Sequence, residues 1–347
     1  MKKWFVFAVV LVLMVGIADL SRADAPVMVE YPVQSSPLHV AVEAPGRIWF
    51  TQPDQNAIGR LIVTSTVDYR VTSFPVPTAS SQPYAIDFAG GMIWFTEKDG
   101  NKIGRLDPTT GVLDEFPIPT SNSQPAGVDA LEGTPARIWF AEKGANQLGL
   151  LTITSTLVYA FNEYPLPGSV ANPQPESVAL DSEGKVWFTA PDATRIGRFD
   201  QSQWPGSSAY HLVGTGSGSE PWSMKVDEAG FPWFTDRTNN RVGKYFPTTL
   251  STILWLPLPS PNSFPNGITV GAGFAWISER NGSRAGQINL ANGAVREIGL
   301  GNSSSPAGLA VDSNGCVWIA ESGRNKIASW CSPYFYFVRL PLVSRSQ

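Results

Sequence analysis

The chain is poor in the residues that most enzymes use for acid–base or metal chemistry. It has two histidines, His39 and His211, and two cysteines, Cys316 and Cys331. Without an HxxxH pair or a Cys/His cluster, the usual zinc sites are excluded. Without a G-x-S-x-G elbow, nothing in the sequence marks a Ser-His-Asp hydrolase. Charge is sparse as well: Asp, Glu, Lys and Arg make up 16% of the residues, the formal net charge is −4, and no basic run exists. A nucleic-acid backbone needs a Lys/Arg stripe, so that class of partner is excluded. Beyond the N-terminus no apolar run approaches the roughly 20 residues that a membrane-spanning helix requires.

What the chain does contain is aromatic and strand-forming. Hydrophobic residues reach 43%, with 12 tryptophans among 347 residues, which rules out a disordered or fibrous chain. The 32 glycines and 29 prolines have no collagen period and suit short strands joined by turns. At the N-terminus Lys2 and Lys3 precede an apolar run over residues 4–17 and then small residues, the pattern of a secretory signal peptide. Cleavage after Ala23 is favoured over Ala25, which would leave Pro26 first. Residues 1–23 are thus expected to be removed and the mature chain to be secreted, periplasmic or on the cell surface, as a monomer. In such a compartment disulfides persist. Cys316 and Cys331 flank a hairpin about residues 321–325, where antiparallel pairing sets them opposite each other. A structural disulfide is expected.

The architecture follows from an internal repeat. A Trp, an apolar residue and a small one recur at Trp49, Trp94, Trp139, Trp187, Trp233, Trp276 and Trp318, at intervals of 45, 45, 48, 46, 43 and 42 residues. Each copy opens at a proline: Pro37, Pro83, Pro125, Pro175, Pro221, Pro265 and Pro306. An alternating run follows, then the Trp strand, a polar tip, a strand such as residues 102–106, and a final run such as Glu115-Phe116-Pro117. Four short strands per copy of about 45 residues predict an all-β, seven-bladed β-propeller of four-stranded antiparallel blades over residues 26–343, with a short tail at 344–347. Proline in the final strand places it at the blade's outer edge, where no ladder N–H is missed. The tryptophans fill the space between stacked blades. Two runs compete to complete the last blade, residues 27–33 and 337–343, and the N-terminal one is favoured.

Two loop sets are expected on one face of the channel. After the Trp strands stand Gln52, Glu97, Glu142, Ala190, Asp236, Glu279 and Glu321, five of them carboxylates. Each of these acids either lines a site, as a metal ligand or a general acid or base, or caps a turn beside the following Lys or Arg. Directly after the prolines, blades four to six carry Glu176, Trp222 and Asn266. Together with Asp236 and Glu279 these are the candidate ligand-binding residues. Glu176, Asp236 and Asn266 are the candidate ligands for Mg²⁺ or Ca²⁺, and Glu279 and Asp236 the candidate catalytic groups.

Trp94-Phe-Thr-Glu-Lys-Asp-Gly-Asn-Lys-Ile-Gly-Arg-Leu106, with Glu115-Phe-Pro-Ile-Pro-Thr120 and Gln124-Pro-Ala-Gly-Val128, resembles the virginiamycin B lyase (streptogramin lyase) family. The resemblance implies a seven-bladed propeller. It also implies an enzyme that opens a cyclic ester by metal-assisted elimination, with a histidine base beside a glutamate and Mg²⁺, the histidine often directly after the repeat proline. None of the seven post-proline positions here is histidine, and of that machinery only glutamates such as Glu279 or Glu321 carry over. Three functions follow: an exported binding or scaffold propeller presenting its channel face to a small molecule, glycan or protein; a metal-dependent carbon–oxygen lyase; and a lactonase similar to the gluconolactonase propellers.

Overall fold

The computed structural model describes residues 27–131, 133, 135–155, 158–168, 172–247 and 252–331. Seven four-stranded antiparallel sheets follow one another, and no α-helix occurs among the described residues. Blade two shows the plan: Pro83–Ala89 innermost, then Met92–Glu97, Lys102–Leu106 and Leu113–Pro117 at the outer edge. The innermost strands of successive blades touch, and that of blade seven, Pro306–Val311, touches that of blade one, Val40–Ala44. The ring is therefore closed. Its last blade is completed by the N-terminal strand Val27–Pro32, antiparallel to Lys326–Cys331, with Val27 opposite Cys331 and Pro32 opposite Lys326. Residues 337–343 and the expected signal peptide lie outside the described residues.

The repeat is a packing code. In all seven blades the Trp of the second strand is at most 3% exposed. The next residue points to the other face of the sheet, as strand alternation requires. Where that residue is Phe, it lies over a glycine of the third strand: a Cβ added at Gly104 would stand 2.0 Å from the Phe95 ring. The Ile-Gly-Arg run is thus the imprint of the Phe. In blade seven Ile319 replaces the Phe, and Ala328 is accommodated opposite it. Several indole N–H groups donate to an acid of the preceding turn, as Trp187 does to Asp181 and Trp233 to Asp227, at 3.0 and 2.9 Å.

A hydroxyl relay ties the blades around the channel. Thr96 accepts the backbone N–H of Ala85 in its own blade and donates to the carbonyl of Ala126 in the next, at 3.0 and 2.8 Å. Thr51, Thr189, Thr235 and Ser278 each donate in the same way to the post-proline carbonyl of the following blade. Blades three and seven carry Ala141 and Ala320 at this position. There the N–H of Gly127 donates directly to the carbonyl of Glu176, and that of Gly308 to Leu38, both at 2.8 Å. So close an approach leaves no room for a side chain: a Cβ on Gly127 would lie 2.8 Å from the Glu176 carbonyl oxygen.

The blade that closes the ring is stapled within its own hairpin. Cys316 and Cys331 form a disulfide with a Cα separation of 4.4 Å, as the hairpin register requires. Tyr31 of the closing strand is fully buried between Trp318 of blade seven and Tyr69 of blade one, at centroid distances of 6.0 and 5.3 Å.

Candidate functional site

All seven innermost strands contribute to a cavity of about 90 Å³ in the central channel. The expected loop sets do share one face: in blades two, three, five, six and seven the proline pairs in register with the acid ending the second strand, as Pro83 does with Glu97 and Pro221 with Asp236. Glu176, Trp222 and Asn266 line the cavity, with Tyr84 and His39 beside them. The structure brings these three sequence candidates together.

Asp236 and Glu279 are not brought there. Both are fully buried within their blades. The reason is strand alternation: the acid stands two residues after Phe234 or Ile277, so its side chain turns to that residue's face of the sheet, into the gap between blades, while the Trp and the Thr or Ser take the opposite face. Asp236 accepts from Ser219 Oγ, the Glu220 N–H, Asn239 and Arg241, at 2.9, 3.0, 3.0 and 2.9 Å. Glu279 lies against Ser263 with Arg284 and Glu297 nearby. Burial pushes Glu279 up to about 7, with the Glu297 charge second, and does the same to Glu97 and Glu142. Glu321 is also raised by burial. Asp236 thereby holds the loop before Pro221.

In three blades the residue one place further on stands against the aromatic rings that line the cavity. At that position blades two, three, five and six carry Lys98, Lys143, Arg237 and Arg280, and the other three carry Pro53, Pro191 and Ser322. Lys143 donates to Glu176 Oε2 at 2.7 Å, while Tyr84 donates its hydroxyl to Glu176 Oε1 at 2.6 Å. Lys143 also stands 4.7 Å from the centroid of the Trp222 ring, and Lys98 4.8 Å from that of Tyr84. Arg237 stacks on Trp222, its guanidinium carbon 3.2 Å from the ring centroid, and donates to Asn266 Oδ1. Burial pulls the Arg237 guanidinium down to about 10, with Tyr84, Glu176 and Glu220 opposing, so it remains charged at neutral pH. Burial, with the Glu176 carboxylate second, raises the Tyr84 hydroxyl well above its usual range. Sequence reasoning weighed the acids of the Glu-Lys, Asp-Arg and Glu-Arg pairs and passed over the bases. The pairing was legible; which member faces the channel was not.

The two histidines are separated by the fold. His39 lines the cavity with Nδ1 2.9 Å from the Tyr84 carbonyl, and burial lowers its pKa below the ordinary value. His211 sits on the outer strand of blade four, Tyr210–Gly214, with Nε2 3.0 Å from the Tyr245 hydroxyl.

The donor set does not suit a divalent cation. Among the described residues no three His, Cys, Asp or Glu side chains come together. Of the three candidate metal ligands, Glu176 is held by a lysine and a phenol, Asn266 Oδ1 accepts from an arginine, and Asp236 is paired with Arg241 inside its blade. A Mg²⁺ or Ca²⁺ ion bound by all three would displace three cationic side chains, Lys143, Arg237 and Arg241, from its ligands.

Comparison with known proteins places this geometry. The model of the virginiamycin B lyase family matches residues 23–215 and 170–332. The virginiamycin B lyase of Staphylococcus aureus is 27% identical, with a TM-score of 0.77 over 88% of this chain and 99% of that one. A catalytically inactive histidine-to-alanine variant of the S. aureus lyase, solved with quinupristin, is 26% identical at a TM-score of 0.76, covering 88% and 99%. YCF48 bound to a D1 peptide shares the fold at 10% identity and a TM-score of 0.67, over 88% and 96% of the two chains. No curated protein sequence matches the chain significantly.

Proposed function

The chain belongs to the virginiamycin B lyase family, and from that premise we propose that it is an exported binding propeller whose channel mouth takes a ligand without opening it. The observation that carries this reading is the state of Glu176. It is the carboxylate of the cavity lining, and Lys143 and Tyr84 occupy both of its oxygens. A carboxylate so held is a positioning group for the mouth. As a metal ligand or general base it would first have to lose two hydrogen bonds, each about 1.5–3 kcal/mol when charge-assisted. Export is supported by the Cys316–Cys331 bridge, which a reducing compartment would not maintain.

The family's elimination chemistry is the second reading, favoured by His39. Its ring lies in the cavity, lowered pKa keeps it neutral at pH 7, and the bond from Nδ1 to the Tyr84 carbonyl leaves Nε2 as the basic nitrogen. One experiment separates the two. The mature protein is incubated with a streptogramin B antibiotic and Mg²⁺, and the products are analysed by chromatography and fragmentation mass spectrometry. An intact ring is the expected result. A linear isomer of unchanged mass, absent in chelator and in His39→Gln, would overturn the binding reading and make the protein a lyase.

A further inference from the structure

We propose that the channel mouth is an anion site, and that its ligand is an organic carboxylate. The proposal rests on the reading that the channel mouth is the binding site, and adds the chemistry of what binds. Four cations, Lys98, Lys143, Arg237 and Arg280, follow the second strands of blades two, three, five and six; Lys98 stands over Tyr84, Lys143 and Arg237 over Trp222, and the charge of Arg280 is felt by Tyr84 and Arg237. The carboxylates that face them are Glu176, bonded to Lys143, and Glu220, 3.9 Å from Arg237 Nη1. Asp54, Asp99 and Asp192 lie one residue further out, in exposed turns. The three outer aspartates offset the ring's charge overall, so the positive surplus is local to the inner side, where four cations meet two carboxylates.

Arg237 is the centre of that surplus. It is 9% exposed and stacked on Trp222, its Nε is buried without a hydrogen-bond partner, and one of its two facing carboxylates is already taken by lysine. A buried guanidinium with an unpaired donor is costly, and an arriving carboxylate offsets that cost through charge-assisted hydrogen bonds. Lys98, Lys143 and Arg280 supply attraction from the solvent side, which makes binding sensitive to salt.

The test uses the Arg237 Nε–H signal in arginine-labelled protein, assigned through Arg237→Lys. Acetate and propionate are titrated against their neutral amides, acetamide and propionamide, with inorganic phosphate as a further arm. Saturable shifts with the carboxylates alone are expected. Affinity should fall at least threefold from 20 to 300 mM NaCl, about tenfold in Arg237→Lys, and about threefold in the rim variant Lys98→Gln. Phosphate binding tighter than the carboxylates would overturn the carboxylate assignment. Equal binding of the amides would overturn the anion site while leaving the channel mouth as a binding site. No shift with any probe, the fold being intact by circular dichroism, would overturn both.

Discussion

Replacing Glu97 by glutamine should stabilise the propeller at pH 8 and do so several-fold less at pH 5. Glu97 is fully buried, and burial followed by the Glu115 charge pushes its carboxyl up to about 7 from an ordinary 4.5. An acid whose folded pKa is raised contributes fully below its unfolded pKa, and that contribution is lost as pH climbs through about 7. The shift is about 2.5 units, and each unit corresponds to about 1.4 kcal/mol, so ionisation costs at most ~3 kcal/mol at pH 8. Glutamine removes the cost because it carries no charge. Blade one already shows the substitution: Gln52 occupies the equivalent place, donating to Ser35 Oγ and accepting from Ser73 Oγ, both at 2.9 Å. The expected gain is about 1–3 kcal/mol at pH 8, read from urea denaturation midpoints followed by tryptophan fluorescence. Equal gains at pH 5 and pH 8, or a loss at pH 8, would refute the reasoning. Glu142→Gln and Glu279→Gln should behave alike and add to Glu97→Gln, since the three stand in different blades.

The relay predicts a pair of opposite outcomes. Thr96→Ala strands the buried Ala85 N–H and Ala126 carbonyl and should cost about 2–4 kcal/mol, whereas Thr96→Ser keeps both bonds and should cost less than about 1; denaturant midpoints of the two variants check this. Gly127→Ala drives a Cβ to 2.8 Å from the Glu176 carbonyl and breaks the bond that replaces the hydroxyl, so about 2–4 kcal/mol should be lost and the Lys143–Glu176 pair displaced, measurable by denaturation and by crystallography. Changing Cys316 and Cys331 together to serine removes a bridge of sequence separation 15 and should cost about 2–3 kcal/mol, with no loss on adding reductant to the variant.

Much of the fold was legible because blade structure is local. Trp, Phe and the third-strand Gly lie within about a dozen residues of one another and report a packing unit that each blade repeats. The same locality exposed the disulfide, since Cys316 and Cys331 belong to one hairpin. Proline in the outer strands marked the edges, and it sits there in Leu113–Pro117, Thr252–Pro257 and Val27–Pro32. Half of the candidate site was also legible: Glu176, Trp222 and Asn266 were singled out as departures from the repeat, and they share the cavity. Asp236 and Glu279 were drawn in by their carboxylates, and alternation turned them into the blade gap.

The amino-acid sequence by itself determined the number of blades, their four-strand plan, the aromatic core and the disulfide, because each depends on neighbours within one repeat. Only the tertiary structure decided what faces the channel. Tyr84 and Glu176 are 92 residues apart, and Lys143 and Glu176 belong to different blades, yet they meet because ring closure brings the inner edge of every sheet to one axis. The pleat sends the acid inward to the blade gap and leaves the bases at the mouth.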